Sequence, residues 1–212
     1  PESSMLAGQP VNYLMQQMRD FKSGARTSLY RRHNSMVLSA THITDEEIRL
    51  AAEYYSQLEP VKWVTVIEAD EVPETYVGQG NMRHPEPNGG METIGRRIIE
   101  IPEDSHRAER RDPHSPFIAY VPPGSVAAGE ELARTGSGRT IQCDICHGPD
   151  LKGLADVPAL VGLSPIYIAR QLWDMKHGTR AGQSAALMLP VVLNLTDDDV
   201  INLSAYIASL DP

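Results

Sequence analysis

The chain repeats itself. Residues 6–26, LAGQPVNYLMQQMRDFKSGAR, align in register with residues 160–180, LVGLSPIYIARQLWDMKHGTR, at a constant offset of 154. Gly8 pairs with Gly162, Tyr13 with Tyr167, Gln17 with Gln171, Asp20 with Asp174, Gly24 with Gly178 and Arg26 with Arg180. After a two-residue slip the offset is 152, which couples Met36 with Met188, Thr44 with Thr196, Tyr54 with Tyr206 and Leu58 with Leu210. Chance does not produce such a match, so the chain is a duplication. It divides into a lobe over 1–60, a connecting strap over 61–124 and a lobe over 125–212.

Each lobe closes on a helix. Thr44-Asp45-Glu46-Glu47 is a capping box, and Thr196-Asp197-Asp198-Asp199 resembles one with Asp at its third helical position. Val200, Leu203, Ile207 and Leu210 then recur at helical spacing. A further helix is predicted from Val126 to about Thr135, capped by Ser125 and stopped by Gly136. The strap holds eight of the chain's 16 prolines, interrupted by two β-prone runs at 63–67 and 97–101. A connection this long is rarely structureless in a compact protein, so a loop-rich strap with short strands packed on one or both lobes is expected.

Chemistry is concentrated in Cys143-Asp144-Ile145-Cys146-His147, the spacing C-x-x-C-H. Two thiols one helical turn apart suit addition to porphyrin vinyl groups, with the adjacent His reaching iron from the same side. A redox dithiol would normally sit beside a βαβ pattern, which is missing, and zinc would need two more ligands at motif spacing. These two are the chain's only cysteines, which excludes a Cys-only zinc site. A second axial ligand should lie downstream, among Met175, His177 and Met188. Met175 pairs with Phe21 in the repeat and His177 with Ser23, whereas Met188 pairs with Met36 and keeps its sulfur. Met188 is therefore the expected ligand, and Met36 its counterpart in the first lobe.

Cys143 to Gly148, Pro158-Ala159-Leu160, Met188 and a closing amphipathic helix resemble a class I c-type cytochrome over about 125–212. The duplicated pattern resembles the two-lobed, two-haem bacterial cytochromes c. That resemblance implies an all-α fold with crossing N- and C-terminal helices, Gly129 meeting Tyr206 at the crossing, and the Pro158 carbonyl accepting the ring N–H of His147. It makes Tyr167, Arg170 and Arg180 partners for haem propionates. The function implied is electron transfer by covalent haem c with His/Met ligation, in the bacterial periplasm, free or associated with a membrane complex. A peroxidase-like enzyme would need an open iron position, against which Met188 argues.

The first lobe departs from this pattern, because its C-x-x-C-H counterpart would fall at −11 to −7, before Pro1. Ala51, Tyr54 and Leu58 should then present an uncovered apolar face. Either a preceding segment carries a second C-x-x-C-H, which the kept Met36 favours, or the first lobe has lost its haem and hides that face under the strap or another chain. Net charge is −9, which argues against nucleic acid and for basic or mixed protein surfaces. No apolar run approaches the roughly 20 residues that span a bilayer. Expected partners are redox proteins: a dehydrogenase, a quinol-oxidising complex or a terminal oxidase. A permanently bound subunit of such a complex is the alternative to a free carrier.

Overall fold

The computed structural model describes residues 4–30, 35–78 and 81–212. The first lobe contains α1 (Val11–Ser23), α2 (Ser35–Thr41) and α3 (Asp45–Ser56). In the second lobe, α5 (Ser125–Thr135) and the short α6 (Asp144–His147) precede α7 (Pro165–Lys176), α8 (Leu189–Val192) and α9 (Asp197–Ser209). Both closing helices start in full capping boxes. The Thr44 and Thr196 hydroxyls accept from the Glu47 and Asp199 amides, and those carboxylates accept from the threonine amides. Asp thus serves where Glu is the usual third residue.

α5 crosses α9 at Gly129, where a Cβ would lie 2.0 Å from the Asn202 carbonyl oxygen and 2.7 Å from the Tyr206 Cβ. Only hydrogen lets the two backbones approach so closely. Leu132, Leu163, Leu195, Leu203 and Tyr206 close one continuous core around that crossing. In the first lobe the matching face of α3 is uncovered: Leu50 is 52% exposed and Tyr54 62%. The strap does not hide it.

The strap is richer in strand than its prolines suggest. β1 (Val64–Glu68) and β6 (Ile99–Pro102) fall on the two β-prone runs, but the strand between them is β7 (Phe117–Val121). β7 pairs parallel with β1 and antiparallel with β6. Its alternating Phe117, Ala119 and Val121 are buried, an alternation masked in sequence by nearby prolines. Two antiparallel ribbons, β2 (Glu71–Pro73) with β5 (Met91–Thr93) and β3 (Thr75–Val77) with β4 (Arg83–Pro85), complete the strand content, and α4 (Ser105–Glu109) is its one helix among the described residues.

The strap is fastened to the second lobe. α5 begins one residue earlier than expected, and Ser125 does not cap it; the Glu68 carboxylate of β1 accepts from the Val126 amide at 2.7 Å instead. A carboxylate at that end satisfies an orphan N–H and suits the helix dipole. Lys62 donates to the Ser209 carbonyl and Arg96 pairs with Asp198, so both ends of α9 are tied to the strap.

Candidate haem site and lobe interface

Cys143 stands at the N-terminus of α6, and its carbonyl accepts from the His147 amide at 2.9 Å, which closes the C-x-x-C-H into one helical turn. The turn is anchored to α5, because the Cys143 amide donates to the Ala133 carbonyl. Gly148 ends it with φ +76°, and a Cβ there would lie 2.5 Å from the Gly153 carbonyl oxygen. Both thiols are free, Cys143 half-buried and Cys146 exposed. Burial pushes the Cys143 thiol up to about 11, so it is not the low-pKa thiolate a redox dithiol requires. Among the described residues no group of three or more His, Cys, Asp and Glu converges as a zinc site would need.

The His147 ring is buried, and its Nδ1 lies 2.8 Å from the Pro158 carbonyl oxygen. A carbonyl only accepts, so Nδ1 carries the proton and Nε2 is left with its lone pair, the tautomer a metal ligand needs. Burial, then the nearby positive charge of Arg180, holds the imidazole below its ordinary pKa and keeps it neutral. Gln9 of the first lobe fixes the same loop, its amide donating to the Ala159 carbonyl and accepting from the Ala159 amide. Met188 ends a 3₁₀ turn (Ala185–Met188) and packs on the core that also receives Cys143. Met175 packs there too, while His177 lies exposed with its ring stacked on Trp173.

The propionate candidates Tyr167 and Arg180 meet at the contact between the lobes. Arg26 and Arg180 pair as an antiparallel bridge between lobes, flanked by Thr27 N–H to the Thr179 carbonyl at 2.7 Å and Ala181 N–H to the Ala25 carbonyl at 2.8 Å. Each guanidinium then bonds across the pseudo-twofold. Arg26 donates to Tyr167 and Gln171, Arg180 donates to Tyr13 and Gln17, and each also donates to the Gln of its own lobe. Burial alone would raise the Tyr167 phenol, but Arg26 and Arg180 outweigh it and draw it down to about 8. The Arg180 Nε is buried with no hydrogen-bond partner among the described residues, although Arg180 lies close enough to His147 to lower its pKa. A buried, unpaired donor on a cation beside the ligand turn fits an acidic group such as a haem propionate.

Met36 lines a cleft of about 440 Å³ in the first lobe, within the roughly 300–1,000 Å³ of small-molecule and cofactor sites. Leu14, Met18, Phe21, Ile48 and Ala52 give it apolar walls. Tyr167, Arg170 and Gln171 reach it from the second lobe. Arg170 therefore lies along the first lobe's cleft, with its guanidinium 5.6 Å from the Tyr167 ring centre. Tyr13, Gln17, Arg26 and Gln171 were not singled out as site residues by sequence, though their pairing in the repeat was the available signal.

A neutral buried imidazole beside two thiols on one helical turn, in a two-lobed helical frame, defines a haem-binding electron carrier. No protein-family model matches the chain. Cytochrome c-554(548) of Halomonas halodenitrificans is 38% identical over 87 residues, 41% of this chain and 96% of that protein. A thiosulfate dehydrogenase electron acceptor from Thiomonas intermedia is 28% identical over 96% of this chain and 69% of its own length. The solved cytochrome c4 of Acidithiobacillus ferrooxidans superposes with a TM-score of 0.60 at 19% identity, covering 98% of this chain and 89% of that one. The chain belongs to the class I c-type cytochromes of the c4 and c-554 kind, which are haem c electron carriers rather than enzymes. No helix among the described residues is long and apolar enough to cross a membrane.

Proposed function

We propose that the second lobe holds haem c through thioether bonds to Cys143 and Cys146, with His147 and Met188 as axial ligands. The observation that carries this is the Pro158-bound Nδ1 of His147, which leaves Nε2 as the only ring donor atom for iron. Bound there, haem supplies reversible one-electron exchange between ferric and ferrous iron. The protein's own part is to fix the imidazole tautomer through Pro158, to offer a thioether through Met188, and to meet the propionates with Arg180. Arg26 and Tyr13, with Tyr167 reaching over from the second lobe, offer such donors to the first lobe.

We infer a second haem in the first lobe, with Met36 as an axial ligand. Leu or Phe would fill an apolar cleft as well as a thioether does, so retention of Met at both repeat positions supports ligation. The intact mass of the native protein, compared with its haemochrome content, tests this. Two haems are expected, and a single haem with Met36 off the iron would refute it.

The protein acts in the bacterial periplasm, taking electrons from a dehydrogenase or quinol-oxidising complex and passing them to a terminal oxidase or another redox protein. The relative named as a thiosulfate dehydrogenase electron acceptor supports a dehydrogenase as donor. Ile145 and Leu187, each beside a proposed ligand, are 61% and 78% exposed and offer an apolar contact. With net charge −9, association with a basic redox partner should slow as ionic strength rises, since the screening length falls to about 10 Å at 0.1 M. Stopped-flow oxidation across a salt series measures it, and a flat rate would remove charge steering. The uncovered Leu50 and Tyr54 favour a second reading, a subunit held permanently in a dehydrogenase or oxidase complex. Size-exclusion of native extract separates the two, because a free carrier elutes small.

A further inference from the structure

The peptide unit between Pro158 and Ala159 is hydrogen-bonded at both ends. Its carbonyl oxygen accepts from the His147 Nδ1–H at 2.8 Å, and its N–H donates to the Gln9 Oε1 at 3.1 Å. The Gln9 Nε2 donates in turn to the Ala159 carbonyl at 3.0 Å, and one backbone donor beside one backbone acceptor fixes which end of the side-chain amide faces each. Gln9 is only 4% exposed, so water does not compete for these bonds. It belongs to the first lobe, on the turn before α1, where the Gly8 amide donates to the Tyr55 carbonyl near the end of α3. The repeat breaks at this point. Gln9 pairs with Leu163, a core side chain with no hydrogen-bonding group, so that position of the second lobe returns no such bond to the first.

We infer that Gln9, a side chain of the first lobe, is a positioning residue for the axial imidazole of the second and lowers the reduction potential there by polarising the peptide that holds His147. This rests on the reading of His147 as an iron ligand. The two ends of a peptide share one resonance system, so an oxygen accepting from its N–H draws electron density onto its carbonyl oxygen. Hydrogen bonds linked in this way strengthen one another by about 10–30% each. The Pro158 carbonyl then accepts more strongly from the Nδ1–H and leaves more electron density on Nε2. An acceptor behind a ligating histidine raises its basicity, and a more basic imidazole stabilises ferric iron over ferrous. The peptide is also held from turning, because Gln9 engages both backbone polar groups of Ala159. The first lobe thereby sets the potential of the second through one side chain.

Spectroelectrochemical titration of the native haem-loaded protein, with the second-lobe couple identified by Met188→Ala, reads the potential. Proton–nitrogen NMR of the reduced state reads the His147 Nδ1–H. Gln9→Leu installs the residue that the repeat carries at this position and should raise that couple. The ferrous-to-ferric ratio at a fixed applied potential should increase about threefold, the size of a 10–30% change in one strong hydrogen bond, or about 28 mV at 59 mV per tenfold. The Nδ1–H signal should move upfield as its hydrogen bond weakens, while the Met-to-ferric band persists. Gln9→Glu keeps an acceptor for the Ala159 N–H and should hold the couple at or below its native value. Asn12→Ala removes a second first-lobe contact to the same loop, the bond to the Asp156 carboxylate at 3.1 Å, and should move neither reading. An unchanged couple in Gln9→Leu, a raised couple in Gln9→Glu, or equal shifts in Gln9→Leu and Asn12→Ala would overturn the inference. A His147 ring with no haem ring-current shift in the native protein would instead end the ligand reading, and this inference with it.

Discussion

Replacing Met188 by alanine should abolish the long-wavelength Met-to-ferric charge-transfer band of the second-lobe haem and lower its potential by on the order of 0.1–0.3 V, within the roughly 0.8 V that axial ligands span. A thioether stabilises ferrous iron, and alanine offers no donor in its place. Met175→Ala is the control. Met175 packs on the same core but is only half-buried, so its loss should cost about 2 kcal/mol, the low end for a truncated core methionine, and leave the band unchanged. Near-infrared absorption of the oxidised variants decides between the two sulfurs. A band of the second-lobe haem surviving in Met188→Ala would end that assignment.

The second large effect is expected at Gly129. Valine there would drive its Cβ into the Asn202 carbonyl, 2.0 Å away, and the clash is with backbone rather than a side chain that could swing aside. The helices must part, at a cost of at least about 3 kcal/mol, the upper part of the range for overpacking. For a chain of this size that lowers the midpoint of thermal unfolding by roughly 6–12 °C. The Cys143 amide hangs on the Ala133 carbonyl of α5, so the ligand turn should shift with the helix and perturb the haem spectrum as well. Gly178→Ala separates packing from backbone strain. That glycine has φ +73° with no atom within 4 Å of a built Cβ, so alanine there should cost only about 1–2 kcal/mol and leave the spectrum unchanged. Equal losses in the two variants would show that the close crossing contributes little.

Residues near in sequence could be read before the fold was known. The C-x-x-C-H turn is one helical turn long, so spacing alone brings both thiols and the imidazole to one side. The capping boxes are equally local, and Thr196 to Asp199 formed one despite its shorter acid because the contact spans only three residues. The repeat extended this reach: it favoured Met188 over Met175 as the expected ligand and paired Tyr13, Gln17 and Arg26 with Tyr167, Gln171 and Arg180 without indicating what they touch.

Contacts between distant segments were decided by the tertiary structure. Glu68 displaced Ser125 as the cap of α5 because β1 delivers a carboxylate to an amide 58 residues away, and no local pattern encodes that meeting. β7 lies between β1 and β6 although it comes last in the chain, since strand order follows packing rather than sequence. The arginines exchanged partners across the lobes because Arg26 and Arg180 meet at the pseudo-twofold, where the acceptors nearest each guanidinium include those of the opposite lobe. Arg170 lines the cleft of the lobe to which it does not belong. The sequence determined which side chains exist in duplicate and which local turns they make; the apposition of the two lobes determined which copy serves which site, because that depends on rigid-body packing over distances that spacing along the chain does not record.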